Sequence, residues 1–318
     1  MQHHIPTAQD LIAAHQRIKD YIHRTPILTN TFINELIGAD LYFKCENFQK
    51  VGAFKARGGM NTVLSLTDEE LRKGVATHSS GNHAQAIALA AKMAGAKAFI
   101  VMPSSAPKIK KAAVKDYGAE VIECDPTLIA RETTLEKVVG ATGATFIHPY
   151  DDYRVIAGQA TAAKELIEDV TGKLDAIVTP VGGGGLLSGT ALSAYYFSNG
   201  TKVFAGEPKG ADDAYKSFTR GELIPQMNPK SVADGLLTSL GEKPFQIIMK
   251  YITDILLVTE AEIINAMRMV WERMKIIIEP SCAVPLAAVL RNSEQFKNQR
   301  IGIILTGGNV DLGKLPFE

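Results

Sequence analysis

The chain has 318 residues, of which 46% are hydrophobic, and its 34 basic side chains balance 34 acidic ones. That length allows one large domain or two unequal ones. The scattered charge argues against nucleic acid or a membrane surface as a partner, and no apolar run is long enough to span a bilayer. Three widely spaced cysteines, Cys45, Cys124 and Cys282, predict a reducing compartment, the cytoplasm, rather than a disulfide framework.

Apolar side chains recur at helical spacing, and short apolar runs separate the helical stretches. Before residue 74 we expect helices over residues 8–22, 30–36 and 57–66, a strand over 41–46, and a capped helix start at Thr67. Further on, the expected strands are 75–77, 98–102, 120–123, 145–147, 176–180, 202–205 and 301–305, and the helices 84–94, 108–117, 127–139, 155–170, 186–197 and 260–274. This alternation predicts an α/β fold with parallel sheets wrapped by helices.

Lys55 stands at the expected start of a helix, just after a turn at Gly52 and Ala53. The strand before it leads out of the core, so the backbone holds this lysine on both sides. A lysine amine in a dry cleft loses its proton more easily, and it can then form a Schiff base with an aldehyde. The alternative is an ordinary solvated lysine at a helix end.

Four consecutive glycines, Gly182, Gly183, Gly184 and Gly185, lie between a predicted buried strand and a helix. Glycines let backbone N–H groups surround an anion, and the helix N-terminus adds partial positive charge. The segment suits a single phosphate, because it has neither the Lys-Ser/Thr ending of a nucleotide P-loop nor the spacing of a dinucleotide motif. A simple tight turn is the alternative.

Two further turns place polar groups at the ends of strands. The segment 79–83 (SSGNH) opens a helix, where amides and hydroxyls can hold a carboxylate, although capping by serine is the simpler interpretation. Thr306 ends a strand at the edge where open α/β sheets bind ligands. A lone threonine at that place is more often only a turn residue.

Four segments occur in one order: 48–58 (FQKVGAFKARG), 79–83, 181–185 (VGGGG) and 305–309 (LTGGN). With them, essentially the whole chain resembles the fold-type II pyridoxal phosphate (PLP) enzymes, in the serine racemase and serine/threonine dehydratase (ammonia-lyase) branch. The resemblance implies a tryptophan synthase β-like fold with two open, twisted, mainly parallel sheets. It implies a large domain over residues 1–69 and 148–318 and a small mobile domain over 70–147.

The resemblance also implies which residues hold pyridoxal 5'-phosphate. Lys55 would carry the cofactor covalently and act as a base on one face of the substrate. The other implied contacts are Phe54 beside the ring, Asn82 on the ring hydroxyl, Thr306 on the pyridine nitrogen, and Gly182 to Gly185 with the Leu186 amide on the phosphate. A hydroxyl at the pyridine nitrogen makes the ring a weaker electron sink, which favours β-elimination.

In serine racemase-like enzymes, a serine at the place of Ser80 faces the substrate opposite the lysine. Two such bases allow racemisation of serine, and loss of the β-hydroxyl instead yields a 2-oxo acid and ammonia. The resemblance implies substrate contacts from Ser79, Ser80, Asn82, His83 and Arg131. A threo-3-hydroxyaspartate dehydratase is the alternative, followed by a cysteine synthase-like β-replacement enzyme or a non-enzymatic ligand sensor.

Glu207 and Asp213 flank a turn that follows a strand, and their oxygens suit a hard divalent cation. A solvated acidic turn is the alternative. In similar enzymes the matching glutamate, alanine carbonyl and aspartate bind a cation, which implies Glu207, Ala211 and Asp213 as ligands of Mg²⁺ (or Ca²⁺ or Mn²⁺).

The resemblance implies a homodimer that acts on a small amino acid. Serine racemases can also bind ATP between subunits. The residues that match that pattern here are Lys50, Gln85, Tyr117, Lys275 and Asn309.

Overall fold

The structure, a computed structural model, describes residues 4–317, without the side chain of Ile109. The ends of the predicted large domain, residues 1–3 and 318, lie outside the described residues. The strands are β1 Ile27–Leu28, β2 Asp40–Cys45, β3 Val75–His78, β4 Ala98–Pro103, β5 Glu120–Cys124, β6 Thr145–Phe146, β7 Ala176–Pro180, β8 Lys202–Pro208, β9 Asp254–Val258 and β10 Arg300–Leu305. The helices are α1 Ala8–Ile18, α2 Thr31–Ile37, α3 Lys55–Leu64, α4 Asp68–Lys73, α5 Asn82–Met93, α6 Lys108–Asp116, α7 Leu128–Thr142, α8 Tyr153–Asp169, α9 Gly185–Phe197, α10 Asp213–Arg220, α11 Glu242–Tyr251, α12 Glu260–Met269, α13 Pro280–Arg291 and α14 Ser293–Phe296.

The strands form two separate sheets. The larger has the order β1-β2-β10-β7-β8-β9, and the smaller has the order β5-β4-β3-β6. All neighbouring strands are parallel except β1, which pairs with β2 in the antiparallel direction. The predicted α/β fold with two mainly parallel sheets is therefore confirmed. No helix in the described part of the chain is both long and apolar enough to cross a membrane.

Several boundaries differ from the prediction. The first helix ends at Ile18 rather than at residue 22, and Ile22 packs into the same core cluster from the following turn. The helix predicted over residues 260–274 ends at Met269 and continues as a π-helical turn to Met274. Strand β8 continues to Pro208, three residues past the expected end. The strands β1 and β9 and the helices α10, α11, α13 and α14 were not predicted.

Helix α3, which begins at Lys55, lies directly against α8. A Cβ added at Gly158 would come within 2.6 Å of the Arg57 carbonyl oxygen and of the Gly58 Cα atom. A Cβ at Gly58 would in turn meet Gln159 Nε2 at 2.5 Å. The two helices therefore approach so closely that only glycine fits at their crossing. This contact fixes α3, and with it Lys55, relative to the buried helix α8.

Gly158→Ala should lower the free energy of unfolding by about 1–3 kcal/mol, because the new methyl group overpacks this crossing. Gly140→Ala in α7 is the matched control, since a Cβ there meets nothing within 4 Å. The control should be neutral or stabilising by up to about 1 kcal/mol, because alanine is the better helix former. Urea unfolding of both variants gives the comparison. Equal losses at the two positions would contradict the close approach.

Candidate active site

Lys55 lies where β10 leaves the larger sheet. The backbone N–H of Phe54 donates to the carbonyl oxygen of Thr306 at 3.0 Å, and Ala53 forms an isolated bridge with Gly307. Phe54 also packs against the cluster that contains Leu186. Lys55, Phe54 and Thr306 therefore meet at the carboxyl edge of the sheet.

The amine of Lys55 is held inside the protein. Its Nζ donates to the carbonyl oxygen of Pro149 at 2.8 Å and lies 5.2 Å from the centre of the Phe54 ring. Burial lowers the pKa of the Lys55 amine to about 8 from its usual 10.5, and the carboxylate of Glu279 acts in the opposite direction. At pH 7 about a tenth of this amine is therefore uncharged and able to attack a carbonyl.

The glycine segment runs from β7 into α9, and all four glycines are buried. A Cβ at Gly183 would lie 2.2 Å from the ring of Tyr150, and one at Gly184 would lie 2.6 Å from Leu240 and Pro244. Gly184 also has a φ of +86°, in the left-handed region that favours glycine. The segment excludes side chains, so its amides and the N-terminus of α9 are free to bind a small anion. These features fit the phosphate of PLP.

The turn at residues 79–83 joins β3 to α5. Gly81, not a serine, is the N-cap residue of α5, and no side chain caps the helix. The simpler interpretation of Ser79 and Ser80 as helix caps is therefore wrong. Among the described residues the Ser80 hydroxyl has no hydrogen-bond partner, and a Cβ at Gly81 would meet nothing within 4 Å. The N-terminus of a twelve-residue helix thus faces open space beside an unpaired hydroxyl.

Asn82 joins the two halves of the site through Glu279, a residue that the sequence analysis missed. The Asn82 side-chain amide donates to the Glu279 carboxylate at 3.0 Å, and its oxygen accepts from Asn309 Nδ2 at 2.9 Å. Burial raises the pKa of Glu279 to about 7, and the hydrogen bond from Asn82 opposes that rise. The available signal was an acidic residue after the apolar residues 276–278 and directly before Pro280, the first residue of a helix.

The remaining predicted substrate residues lie on helices that pack against the smaller sheet, His83 on α5 and Arg131 on α7. The ring of His83 is buried, its Nε2 lies 3.3 Å from the carbonyl oxygen of Ile147, and its Nδ1 has no partner among the described residues. Burial and the nearby charge of Lys55 lower the pKa of His83 well below its ordinary value. Arg131 lies near His78, the residue before the turn, and its Nε is buried without a described partner.

The predicted metal residues lie at the end of β8, in the turn after it and at the start of α10. Glu207 is fully buried and accepts from the amides of Ala214 at 3.0 Å and Tyr215 at 2.8 Å. Asp213 is buried and accepts from the Leu240 amide at 2.7 Å. The alternative of a solvated acidic turn is therefore wrong.

Burial also changes the ionisation of these two carboxylates. It raises the pKa of Glu207 well above its ordinary value, and the charge of Asp213 adds to that rise. Burial raises the pKa of Asp213 to about 6. No lysine or arginine among the described residues pairs with either carboxylate, so the pair suits a bound cation.

Three of the five predicted nucleotide residues lie around one turn. The 3₁₀ turn Lys50–Gly52 packs against α5, which carries Gln85, and Asn309 Nδ2 donates to the Val51 carbonyl oxygen at 2.7 Å. Tyr117 follows α6 in a hydrophobic cluster, and Lys275 follows the π-helical turn. Among the described residues, no hydrogen bond or ion pair joins Tyr117 or Lys275 to the other three.

Comparison with known proteins shows the family of this chain. Residues 18–307 match the family described as pyridoxal-phosphate dependent enzyme. The β-hydroxyaspartate dehydratase of Paracoccus denitrificans is 52% identical over 99% of this chain and 100% of its own. The serine racemase of Dictyostelium discoideum is 52% identical over 97% of this chain and 96% of its own. The solved structure of maize serine racemase has a TM-score of 0.95 at 42% identity and covers 98% of this chain and 95% of its own.

These similarities span nearly the full length of the chain at well over 30% identity. They confirm the predicted fold type, the enzyme class and pyridoxal phosphate as the cofactor. The similar proteins include both racemases and dehydratases, which are the two activities that the resemblance implied. The chain belongs to the pyridoxal-phosphate dependent enzyme family.

Proposed function

We propose that this enzyme removes the β-hydroxyl of serine or threonine as water, and that hydrolysis of the resulting enamine takes up one water and releases ammonia and a 2-oxo acid. We propose that it also racemises serine. The observation that carries the proposal is the half-buried Lys55 amine, with its lowered pKa, at the sheet edge that it shares with Thr306. When bound there, pyridoxal phosphate withdraws electrons from the α-carbon of the amino acid. Binding of the cofactor and substrate, and movement of the α-proton, depend on side chains and amides of this chain.

The residues around Lys55 are suited to hold the cofactor. Gly182 to Gly185 and the N-terminus of α9 would bind its phosphate, and Phe54 would pack beside its ring. The Asn82 amide, already oriented by Glu279, would donate to the ring hydroxyl. The buried hydroxyl of Thr306 would meet the pyridine nitrogen without protonating it, which favours elimination.

Two bases on opposite faces would move the α-proton. The Lys55 amine would hold it on one face and the unpaired Ser80 hydroxyl on the other. The substrate carboxylate would lie at the N-terminus of α5, where the amides of the turn at Ser79 to His83 face open space. Elimination requires proton removal from one face only, so it should depend less on Ser80.

Ser80→Ala tests this proposal with L-serine as the single substrate. Formation of D-serine should fall by about 100-fold or more, the usual contribution of a general acid or base, while pyruvate and ammonia continue to form. Chiral chromatography and pyruvate release are measured on the same sample, so elimination is the internal control for an intact site. Unchanged racemisation would remove Ser80 from the mechanism.

The second candidate is the dehydration of L-threo-3-hydroxyaspartate to oxaloacetate and ammonia. The Nε of Arg131 is buried without a described partner, and the charge of Arg131 acts on His78, the last residue of β3 before the substrate turn. A dicarboxylic substrate would supply the missing acceptor. The 52% identity to a β-hydroxyaspartate dehydratase gives further support.

Arg131→Gln separates the two substrates. Loss of a charge-assisted hydrogen bond costs about 1.5–3 kcal/mol, so the KM for L-threo-3-hydroxyaspartate should rise roughly 10- to 100-fold. The KM for L-serine should change little, because serine has no second carboxylate. Arg291→Gln is the control, since that arginine pairs with Glu262 on the surface. Equal changes for both substrates in Arg131→Gln would contradict this role.

We further propose that Glu207, the Ala211 carbonyl and Asp213 bind Mg²⁺ or a similar divalent cation. The support is the buried carboxylate pair without a lysine or arginine partner among the described residues. Oxygen ligands of this kind suit Mg²⁺, Ca²⁺ and Mn²⁺. Since none of the contacts of Lys55 among the described residues involves these three, the cation would stabilise the fold and would not take part in the reaction.

Saturating Mg²⁺ should raise the thermal midpoint of the protein, by the equivalent of about 2.7 kcal/mol at a hundred times the dissociation constant. The shift should be larger at pH 8 and shrink below pH 6, because Asp213, with its pKa of about 6, and Glu207, whose pKa burial raises, must both be ionised to bind. Asp213→Asn should abolish the shift. Asp212→Asn, whose carboxylate pairs with Lys216 instead, is the control and should keep it. A full shift in Asp213→Asn would exclude this site.

We also propose the predicted division into a domain over residues 70–147 and a larger remainder. The support is that all four strands of the smaller sheet fall in this range.

ATP is proposed near Lys50, Gln85 and Asn309, which surround one turn, with Tyr117 and Lys275 as further contacts. A homodimer is proposed because the large apolar side chains Phe32, Leu36, Phe48 and Ile277 are exposed by 43–53%. The three free cysteines favour the cytoplasm.

A further inference from the structure

Arg57 lies two residues after Lys55 in the first turn of α3, and the proposed function gives it no role. Its side chain is fully buried. Its Nε and Nη2 donate to the two oxygens of Glu46 at 2.7 and 2.8 Å. Its Nη1 and Nη2 donate to the two oxygens of Glu165 at 2.9 and 2.8 Å, and Nη1 also reaches Thr161 Oγ1 at 3.1 Å. One guanidinium is thus held by two carboxylates from different elements.

A second buried cation balances the charges of this cluster. Lys44 Nζ donates to Glu165 at 2.7 Å, so two cations face the two carboxylates of Glu46 and Glu165. Burial acts to raise the pKa of Glu165, but hydrogen bonds to His15 and Arg57 and the charges of Arg57 and Lys44 lower it overall. Glu165 is therefore ionised inside the protein, beside the charged guanidinium of Arg57. Buried ion networks add little net stability, because the cost of desolvation offsets their attraction.

What such a cluster does provide is fixed geometry, since the planar guanidinium binds a carboxylate in one orientation. Here it joins the end of β2 and the middle of α8 to the first turn of α3. On the other side of that turn, the Phe54 N–H is bound to Thr306. The Lys55 amine reaches Pro149, four residues before α8 begins. A shift of α3 against α8 would therefore break the contact of that amine.

We propose that Arg57 is a positioning residue, which holds the Lys55 amine in its buried place through the double fork between Glu46 and Glu165. The charged groups that act directly on Lys55, or respond to its charge, are Glu279, His83 and His148. None of them belongs to the Arg57 cluster, so Arg57 acts through position. The importance of this positioning for cofactor binding rests on the proposed function. The reactivity of the amine itself is a property of the chain alone.

The test uses the full-length chain after hydroxylamine treatment and dialysis have released any bound cofactor. Trace acetic anhydride is applied at a series of pH values, and labelling of Lys55 is read by peptide mass spectrometry. The wild-type midpoint should lie near pH 8, the pKa that burial gives this amine. In Arg57→Lys and Arg57→Gln the midpoint should move toward the ordinary value of 10.5, and labelling at pH 7 should fall at least tenfold. A complete return would lower it roughly 300-fold.

The matched control is Arg24→Gln. Arg24 pairs with Glu168 and Asp169, which lie on α8 as Glu165 does, but this pair is on the surface. Loss of Arg24 should therefore leave the pH midpoint of Lys55 labelling unchanged. A purely structural role for Arg57 would lower the thermal midpoint without moving the Lys55 midpoint. That result, in an Arg57 variant with the circular dichroism of the wild type, would overturn the proposal.

Two further measurements keep the outcome decisive. If neither Arg57 variant folds, Glu165→Gln retains the shape of its side chain and weakens the same fork, and an unmoved Lys55 midpoint there would overturn the proposal equally. The affinity for added pyridoxal phosphate, measured by its visible absorbance, should fall in the variants that shift the midpoint. A wild type without any such absorbance would overturn the proposed function, while the labelling result would still decide the role of Arg57.

Discussion

The hydrogen bond from the Phe54 amide to the Thr306 carbonyl fixes the start of α3 at the carboxyl end of β10. Because open α/β sheets bind ligands at that edge, one backbone contact brings the lysine and the threonine hydroxyl to the same place. The glycine segment follows β7, which neighbours β10 in the sheet. The amides that we propose bind the phosphate therefore lie at the same edge. The chemistry depends on this convergence more than on any single motif.

The interior holds buried charges of two kinds. Around Arg57 the cations and carboxylates balance, so that cluster is complete without a ligand. Glu207 and Asp213 lack a cationic side chain among the described residues, and the buried carboxyl of Glu279 faces the Lys55 amine. A balanced cluster fixes geometry, whereas an unbalanced carboxylate attracts a cation or shares a proton. On this reasoning the balanced cluster around Arg57 supports the active site from outside it. The unbalanced carboxylates are themselves parts of the proposed binding sites.

Much of this arrangement could be predicted from the sequence. Gly182 to Gly185 predicted a site for a single phosphate, with a simple tight turn as the alternative, because glycines between a strand and a helix leave backbone amides free to surround an anion. The segment is buried in the structure, and the phosphate site stays a prediction. Glu279 could not be predicted in that way, since its partners Asn82 and Asn309 are distant in sequence and only the fold brings them together. Strand β9 is a short apolar run without alternation, and such a run does not distinguish strand from helix. The π-helical turn at Val270–Met274 continues a helical pattern, so periodicity could not reveal it.

The central claim is that one amine, that of Lys55, is joined covalently to pyridoxal phosphate. Borohydride reduces such a bond irreversibly, so the purified resting protein can be reduced, digested and mapped by mass spectrometry. The account predicts a phosphopyridoxyl group on the peptide that contains Lys55 and on no other. A reduced adduct on a different lysine, or none in a protein that turns over serine or hydroxyaspartate, would contradict it.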